Sequence, residues 1–115
     1  MHAFFQSFIY AFRGIIDALR DERSMKIHFA AIIATSASAF YFHFNYMEWC
    51  IIVLCFALVV SLEMMNSAIE NTVDLYTNEK MELARKAKDI AAGAVLIASI
   101  FSVIIYFAIL YHHFN

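Results

Sequence analysis

Apolar residues run along this chain in three long stretches that are separated by short polar segments. The first covers 27–44 and is interrupted by His28, Thr35, Ser36, Ser38 and His43. The second runs from Trp49 to Leu62 and then turns acidic, and the third covers Ile90 to Tyr111. Because about 20 helical residues cross a hydrocarbon core of roughly 30 Å, we predict three transmembrane helices. Their expected bounds are about 27–44, 47–76 with a cytoplasmic extension, and 88–111.

The first 22 residues follow a different pattern. Large apolar side chains recur there at helical spacing and share one stripe, namely Phe4, Phe5, Phe8, Phe12, Ile15, Ile16 and Leu19. Polar residues occupy the rest of the surface, so this helix is too polar to span a membrane. The pattern predicts an amphipathic helix over about 2–22 in the cytoplasmic interface. A short core helix packed on the other helices is the alternative interpretation.

Composition narrows the class of protein. The chain is 63% hydrophobic, with no proline and two glycines, which leaves too little polar surface for a soluble globule. We find no linker or repeat, and we predict a single all-α integral membrane domain over 1–115 with no nucleic-acid partner. Because Gly14 and Gly93 are the only glycines and lie far apart in the chain, there is neither a P-loop nor a glycine-rich kinase loop. The histidines and cysteines show no convincing zinc-site spacing, and we assign His28 to the membrane interface.

The basic residues predict the orientation. All eight lie before the first span or between the second and third: Arg13, Arg20, Arg23, Lys26, Lys80, Arg85, Lys86 and Lys88. The positive-inside rule therefore places the N-terminus and the segment 77–89 in the cytoplasm. No cleavable signal peptide is evident at the N-terminus. We expect a multi-pass membrane protein with a cytoplasmic N-terminus.

A polar stripe marks the end of the second span. Glu63, Asn66, Glu70 and Asp74 stand at i, i+3, i+7 and i+11, so they project within an arc of about 80° on a helix. Placing a carboxylate in a membrane helix costs free energy, so carboxylates at such positions indicate a functional site. Interhelical hydrogen bonding is the structural alternative, and Asn66 alone would be interpreted that way. A set of polar groups in register, facing a basic segment, favours function.

Depth along this helix separates the carboxylates. With Trp49 as an anchor at the outer interface, Glu63 lies about 21 Å further along the axis and Glu70 about 10 Å beyond it. A carboxylate at the level of the lipid headgroups suits a general base. Carboxylates nearer water can hold Mg²⁺, and Lys88 adds positive charge. Phosphoryl transfer depends on the positioning of the reactants and on neutralisation of their charge. A carboxylate near the lipid headgroups, followed by carboxylates nearer water, therefore predicts a reaction between a membrane lipid and a soluble phosphate donor.

Two segments resemble a known family. The segment 63–74, EMMNSAIENTVD, followed by AKD at 87–89, resembles the prokaryotic diacylglycerol kinase and undecaprenol kinase family. The segment 22–28, ERSMKIH, is similar to the start of that family's first span. The resemblance covers essentially the whole chain. Ser67 stands where many members have threonine and Ser24 where asparagine is usual, which puts a specific role of Ser24 in doubt.

The resemblance implies a small lipid kinase of the bacterial inner (cytoplasmic) membrane, which uses ATP and Mg²⁺ and forms a homotrimer with active sites shared between subunits. Glu63 matches the catalytic base, and Glu22 and Glu70 match the ligands of Mg²⁺ bound with ATP. Further nucleotide contacts match Tyr10, Glu79, Lys88 and Asp89. Asn66 and Asp74 match positions with supporting roles.

We therefore predict ATP- and Mg²⁺-dependent phosphorylation of a membrane lipid alcohol at the cytoplasmic face. The motif at 22–28 favours undecaprenol over diacylglycerol. A small ion- or proton-coupled transporter is the alternative, but it should carry polar residues toward the bilayer midplane, where the third span offers only Ser99 and Ser102. A non-catalytic assembly partner would leave Glu22, Lys88 and Asp89 without a role.

Overall fold

The computed structural model describes residues 1–76, 79 and 81–115, and helices account for nearly all of them. In chain order these are α1 (His2–Asp21), α2 (Arg23–Tyr41), α3 (Tyr46–Tyr76) and α4 (Glu82–Phe114). The predicted all-α class is confirmed for this part of the chain. Lys80, which contributed to the predicted orientation, lies outside the described residues.

Two of the described helices, α3 and α4, are long and apolar enough to cross a membrane. They form the most extensive helix pair in the bundle. Only 22% of the most apolar stretch of α3 and 11% of that of α4 is buried inside the chain, which is far too little for the core helices of a soluble protein. The first predicted span, 27–44, corresponds to α2, which is less apolar, and its role as a span stays a prediction.

The N-terminal helix α1 lies on the outside of the bundle. It contacts α2 and α3, yet none of its residues is buried. Its aromatic stripe is open, with Phe4 and Phe12 each 62% exposed. The helical conformation is interrupted at Glu22, whose backbone is extended (φ −105°, ψ 118°). Helix α2 therefore begins directly after a sharp turn of the chain. Glu22 therefore occupies the junction between the two helices.

Helix α2 ends earlier than the apolar pattern predicts because the chain turns at His43. The backbone N–H groups of His43 and Phe44 donate to the carbonyl oxygens of Phe40 and Ala39 at 3.2 and 3.0 Å. These two bonds form a Schellman motif, in which the residue at the His43 position takes a left-handed conformation and is usually glycine. His43 has φ 58°. A side chain in that conformation is strained.

Replacing His43 by glycine is expected to raise the free energy of unfolding by about 0.5–1 kcal/mol, because the relief of strain exceeds the extra entropy of glycine in the unfolded chain. Thermal unfolding in detergent micelles measures the change. His43→Ala is the matched control, since it removes the imidazole but keeps a Cβ at positive φ. An equal gain in the alanine variant would show that the strain does not reside in the backbone.

A polar cluster of Asn45, Glu48 and His113 holds the end of the bundle that lies away from the acidic stripe. Asn45 and Glu48 form a capping box at the start of α3: each backbone N–H donates to the other's side-chain oxygen at 2.9 Å. His113 at the end of α4 approaches Glu48, with Nδ1 and Oε2 3.3 Å apart. The main apolar core, with Ala39 and Ile52 as its most buried members, lies at the same end. This end of the bundle is thus the better packed one.

Candidate active site

The acidic stripe lies on the C-terminal half of α3, and burial falls along it. Glu63 and Asn66 are 4% and 8% exposed, Glu70 is half-buried and Asp74 is exposed. This gradient follows the helix toward its end, because the bundle covers the first turn of the stripe and leaves the last turn open. One carboxylate is therefore enclosed, while the others remain reachable from water.

The enclosed carboxylate has a histidine beside it. Nε2 of His28, in the second turn of α2, lies 3.4 Å from Oε2 of Glu63. The two side chains are 22% and 6% exposed. A buried carboxylate needs a partner or must lose its charge, and the imidazole meets that need from a neighbouring helix. The contact joins α2 to α3 at the level of the predicted base.

Asn66 and Glu70 form the next contact, one turn further on. Nδ2 of Asn66 donates to Oε1 of Glu70 at 3.5 Å, a long bond. Oδ1 of Asn66 is buried and has no hydrogen-bond partner among the described residues. Such an orphaned acceptor leaves room for a ligand, and amide and carboxylate oxygens are the donors that hard cations prefer.

This donor set fits Mg²⁺ bound with a nucleotide. In the described part of the chain, no group of three or more His, Cys, Asp or Glu side chains is placed to hold a metal ion. Mg²⁺ does not require such a cage, because it is usually held by one or two carboxylates and completes its shell with phosphate oxygens and water. The oxygen atoms at Glu70 and Asn66 are therefore suitable, whereas a site for Zn²⁺ is not formed by these residues.

Lys88 closes the water-facing end of the stripe. Its Nζ lies 2.5 Å from Oδ1 of Asp74, which joins the last turns of α3 to the first turns of α4. Asp89 instead pairs along its own helix with Arg85 at 2.7 Å, and Arg85 also contacts Glu82. The basic group predicted to meet phosphate is thus at the stripe, and its neighbour Asp89 is engaged elsewhere.

Two predicted site residues, Tyr10 and Glu22, lie apart from these contacts, and Glu79 lies before α4. Tyr10 on α1 is 59% exposed, and the Arg13 guanidinium stands 5.6 Å from its ring centre. Glu22 is half-buried at the α1–α2 corner, and Glu79 is exposed in the bend before α4. Among the described residues, neither Tyr10 nor Glu22 forms a hydrogen bond or ion pair with the stripe on α3.

A cavity of about 340 Å³ lies between α2, α3 and α4. Its walls are mostly apolar, and its polar lining comes from His28, Thr35, Ser99, Ser102 and Tyr106. Oγ of Ser99 is buried without a hydrogen-bond partner in the described part of the chain. His28 thus faces two features at once, because it lines this cavity and also contacts Glu63.

His28, which is predicted to lie at the membrane interface, also contacts Glu63 in the structure, and the sequence did not predict this contact. The available signal was its place at the end of the segment 22–28, whose first residue is a predicted metal ligand. The position of His28 in that segment does not predict that it lies near Glu63, because the contact depends on how α2 and α3 pack.

Comparison with known proteins identifies the family of this chain. The model of the prokaryotic diacylglycerol kinase family matches residues 9–110. Undecaprenol kinase of Bacillus subtilis is 44% identical over 105 residues, covering 91% of this chain and 85% of that protein. Diacylglycerol kinase of Synechocystis is 39% identical over 100 residues, covering 86% of this chain and 57% of that protein. Diacylglycerol kinase of Escherichia coli K12 is 31% identical over 106 residues, covering 92% and 87%. The chain therefore belongs to the prokaryotic diacylglycerol kinase family and is a lipid kinase.

Proposed function

We propose that this kinase transfers the γ-phosphoryl group of ATP to the hydroxyl group of undecaprenol at the cytoplasmic face of the bacterial inner membrane. The choice of lipid is supported by the higher identity to the undecaprenol kinase of Bacillus subtilis, 44%, than to the diacylglycerol kinases of Synechocystis and Escherichia coli, 39% and 31%. The motif at 22–28 points the same way.

The observation that carries this proposal is the burial of Glu63 on an otherwise apolar helix. A carboxylate that is 4% exposed beside an imidazole is poised to take a proton from a group that arrives through the membrane. In the proposed reaction the lipid oxygen forms a bond to the γ-phosphorus and the bond from that phosphorus to the β,γ-bridging oxygen breaks. ADP leaves, and the hydroxyl proton passes to Glu63.

The water-facing half of the stripe is proposed to hold the nucleotide. Glu70 and Glu22 would hold Mg²⁺, with Asn66 as a supporting oxygen, and the ion would draw charge from the transferred group. Lys88 has three N–H donors, so it can maintain its contact with Asp74 and also donate to a phosphate oxygen. We propose Tyr10, Glu79 and Asp89 as further nucleotide contacts.

We also propose the finer architecture that the family resemblance implies: α2 as a third span, α1 as an amphipathic helix in the cytoplasmic interface, and a homotrimer with shared sites. The exposed aromatic stripe on α1 supports interfacial placement. Sharing is supported by the separation of Tyr10 and Glu22 from the α3 stripe, because a neighbouring chain could bring equivalent residues to it.

The test is transfer of labelled γ-phosphate from ATP in mixed micelles that contain either undecaprenol or diacylglycerol. We expect faster transfer to undecaprenol at equal mole fraction in the micelle. Faster transfer to diacylglycerol would overturn the choice of lipid and keep the mechanism. If folded protein transfers phosphate to neither lipid, the proposed reaction is contradicted.

A further inference from the structure

The contact between His28 and Glu63 has a geometry that restricts the carboxylate. Nε2 of His28 approaches one oxygen, Oε2, at 3.4 Å. This approach is an ion-pair contact, and no hydrogen bond to the Glu63 side chain is formed by the described residues. One oxygen therefore lies beside the imidazole of α2, and the other is left for a ligand.

The partners of this contact lie on two different helices and are both well covered, at 22% and 6% side-chain exposure. In the described part of the chain, His28 is the basic side chain paired with Glu63. A contact between two enclosed groups holds the side chains in fewer rotamers than a surface pair does, because packing on both helices limits their motion. The imidazole is thus suited to orient the carboxylate.

We propose that His28 is a positioning residue for Glu63: its Nε2 holds Oε2 and thereby presents Oε1 to the hydroxyl group of the lipid. This inference rests on the proposed role of Glu63 as the base. The separation of 3.4 Å exceeds that of a good N–H···O bond, and such bonds commonly tighten when substrate binds. A group that orients a catalytic side chain acts on turnover more than on nucleotide affinity.

The cavity beside His28 provides a direct test. Because the imidazole lines this cavity of about 340 Å³, its removal leaves a space that free imidazole can enter. The chain also contains a matched pair at the other end of α3, where Nδ1 of His113 and Oε2 of Glu48 are 3.3 Å apart. The same substitution can therefore be made in a histidine–glutamate pair that is remote from the acidic stripe.

The experiment measures kcat and KM of His28→Ala, His28→Gln, His113→Ala and Glu63→Gln with ATP and undecaprenol in mixed micelles, with and without added imidazole. We expect His28→Ala to lose about 10–100-fold in kcat with little change in the KM for ATP, as is typical when a residue that orients a functional group is lost. His28→Gln, which retains an N–H donor, should lose less. Imidazole should restore part of the activity of His28→Ala and none of that of Glu63→Gln.

His113→Ala should keep the wild-type kcat and should not respond to imidazole. Wild-type activity of His28→Ala overturns the inference, and so does an equal loss in the two alanine variants without any rescue. A separate outcome concerns the proposed function: if Glu63→Gln retains turnover, the proposed role of Glu63 as the base is contradicted. Loss of turnover in Glu63→Gln together with full activity in His28→Ala overturns only the role of His28.

Discussion

Replacing Glu63 by glutamine is expected to lower kcat by about 10²–10⁴-fold, the usual contribution of a general base. Glutamine preserves the size and much of the polarity of the side chain but cannot accept the hydroxyl proton as a carboxylate does. Nucleotide binding should persist, because the proposed contacts to ATP lie further along the stripe at Glu70 and Lys88. Labelled-phosphate transfer reports kcat, and titration with a fluorescent ATP analogue reports binding.

Glu48→Gln is the matched control for this experiment. Glu48 is a carboxylate on the same helix with 9% exposure, and glutamine can still serve at its position in a capping box. We expect this variant to turn over at close to the wild-type rate. If Glu63→Gln loses nucleotide binding together with activity, the role of Glu63 as the base is contradicted, since its effect would then lie in the nucleotide site.

Replacing Lys88 by methionine is expected to reduce kcat/KM for ATP by about 10²–10³-fold, because a positive charge aimed at the transferred phosphoryl group would be lost. The same lysine also forms the contact to Asp74 at 2.5 Å. Both partners are partly exposed, and ion pairs of this kind contribute about 0–1 kcal/mol to stability. Loss of the pair alone would therefore have a small effect.

Two variants separate these roles of Lys88. Asp74→Asn removes the pair but keeps the lysine charge, and it should reduce activity much less than Lys88→Met. Lys86→Met removes an exposed charge from the same helix and should leave the KM for ATP near the wild-type value. An equal loss in Lys88→Met and Asp74→Asn would assign the effect to the ion pair rather than to phosphate binding.

The helices could largely be predicted from hydropathy, with errors where local chemistry sets an end. For α3 the predicted range 47–76 agrees closely with Tyr46–Tyr76, because the stripe keeps helical periodicity beyond the apolar run. Helix α4 begins at Glu82, ahead of the predicted 88. Good helix formers and the contacts of Arg85 with Glu82 and Asp89 extend it into a polar segment. The early end of α2 depends on His43 in a conformation that a sequence signals only when glycine is present.

The site was less accessible to prediction from the sequence. The order of Glu63, Asn66, Glu70 and Asp74 follows from the pitch of one helix, and the structure keeps it. The partner of each group depends instead on the relative rotation and depth of two helices. Neither quantity is encoded in local periodicity, so the contact of His28 with Glu63 and that of Lys88 with Asp74 appear only in the packed bundle.

The length of α3 has a consequence for the bilayer. Its 31 residues extend over about 46 Å, which is more than a hydrocarbon core of roughly 30 Å. The cluster of Asn45, Glu48 and His113 holds one end, so in the proposed orientation the height of Glu63 relative to the opposite headgroups depends on membrane thickness. A thicker membrane would draw the base deeper among the acyl chains, and a thinner one would lift it toward water. The lipid environment is then a physical determinant of how readily a headgroup-level alcohol meets the carboxylate.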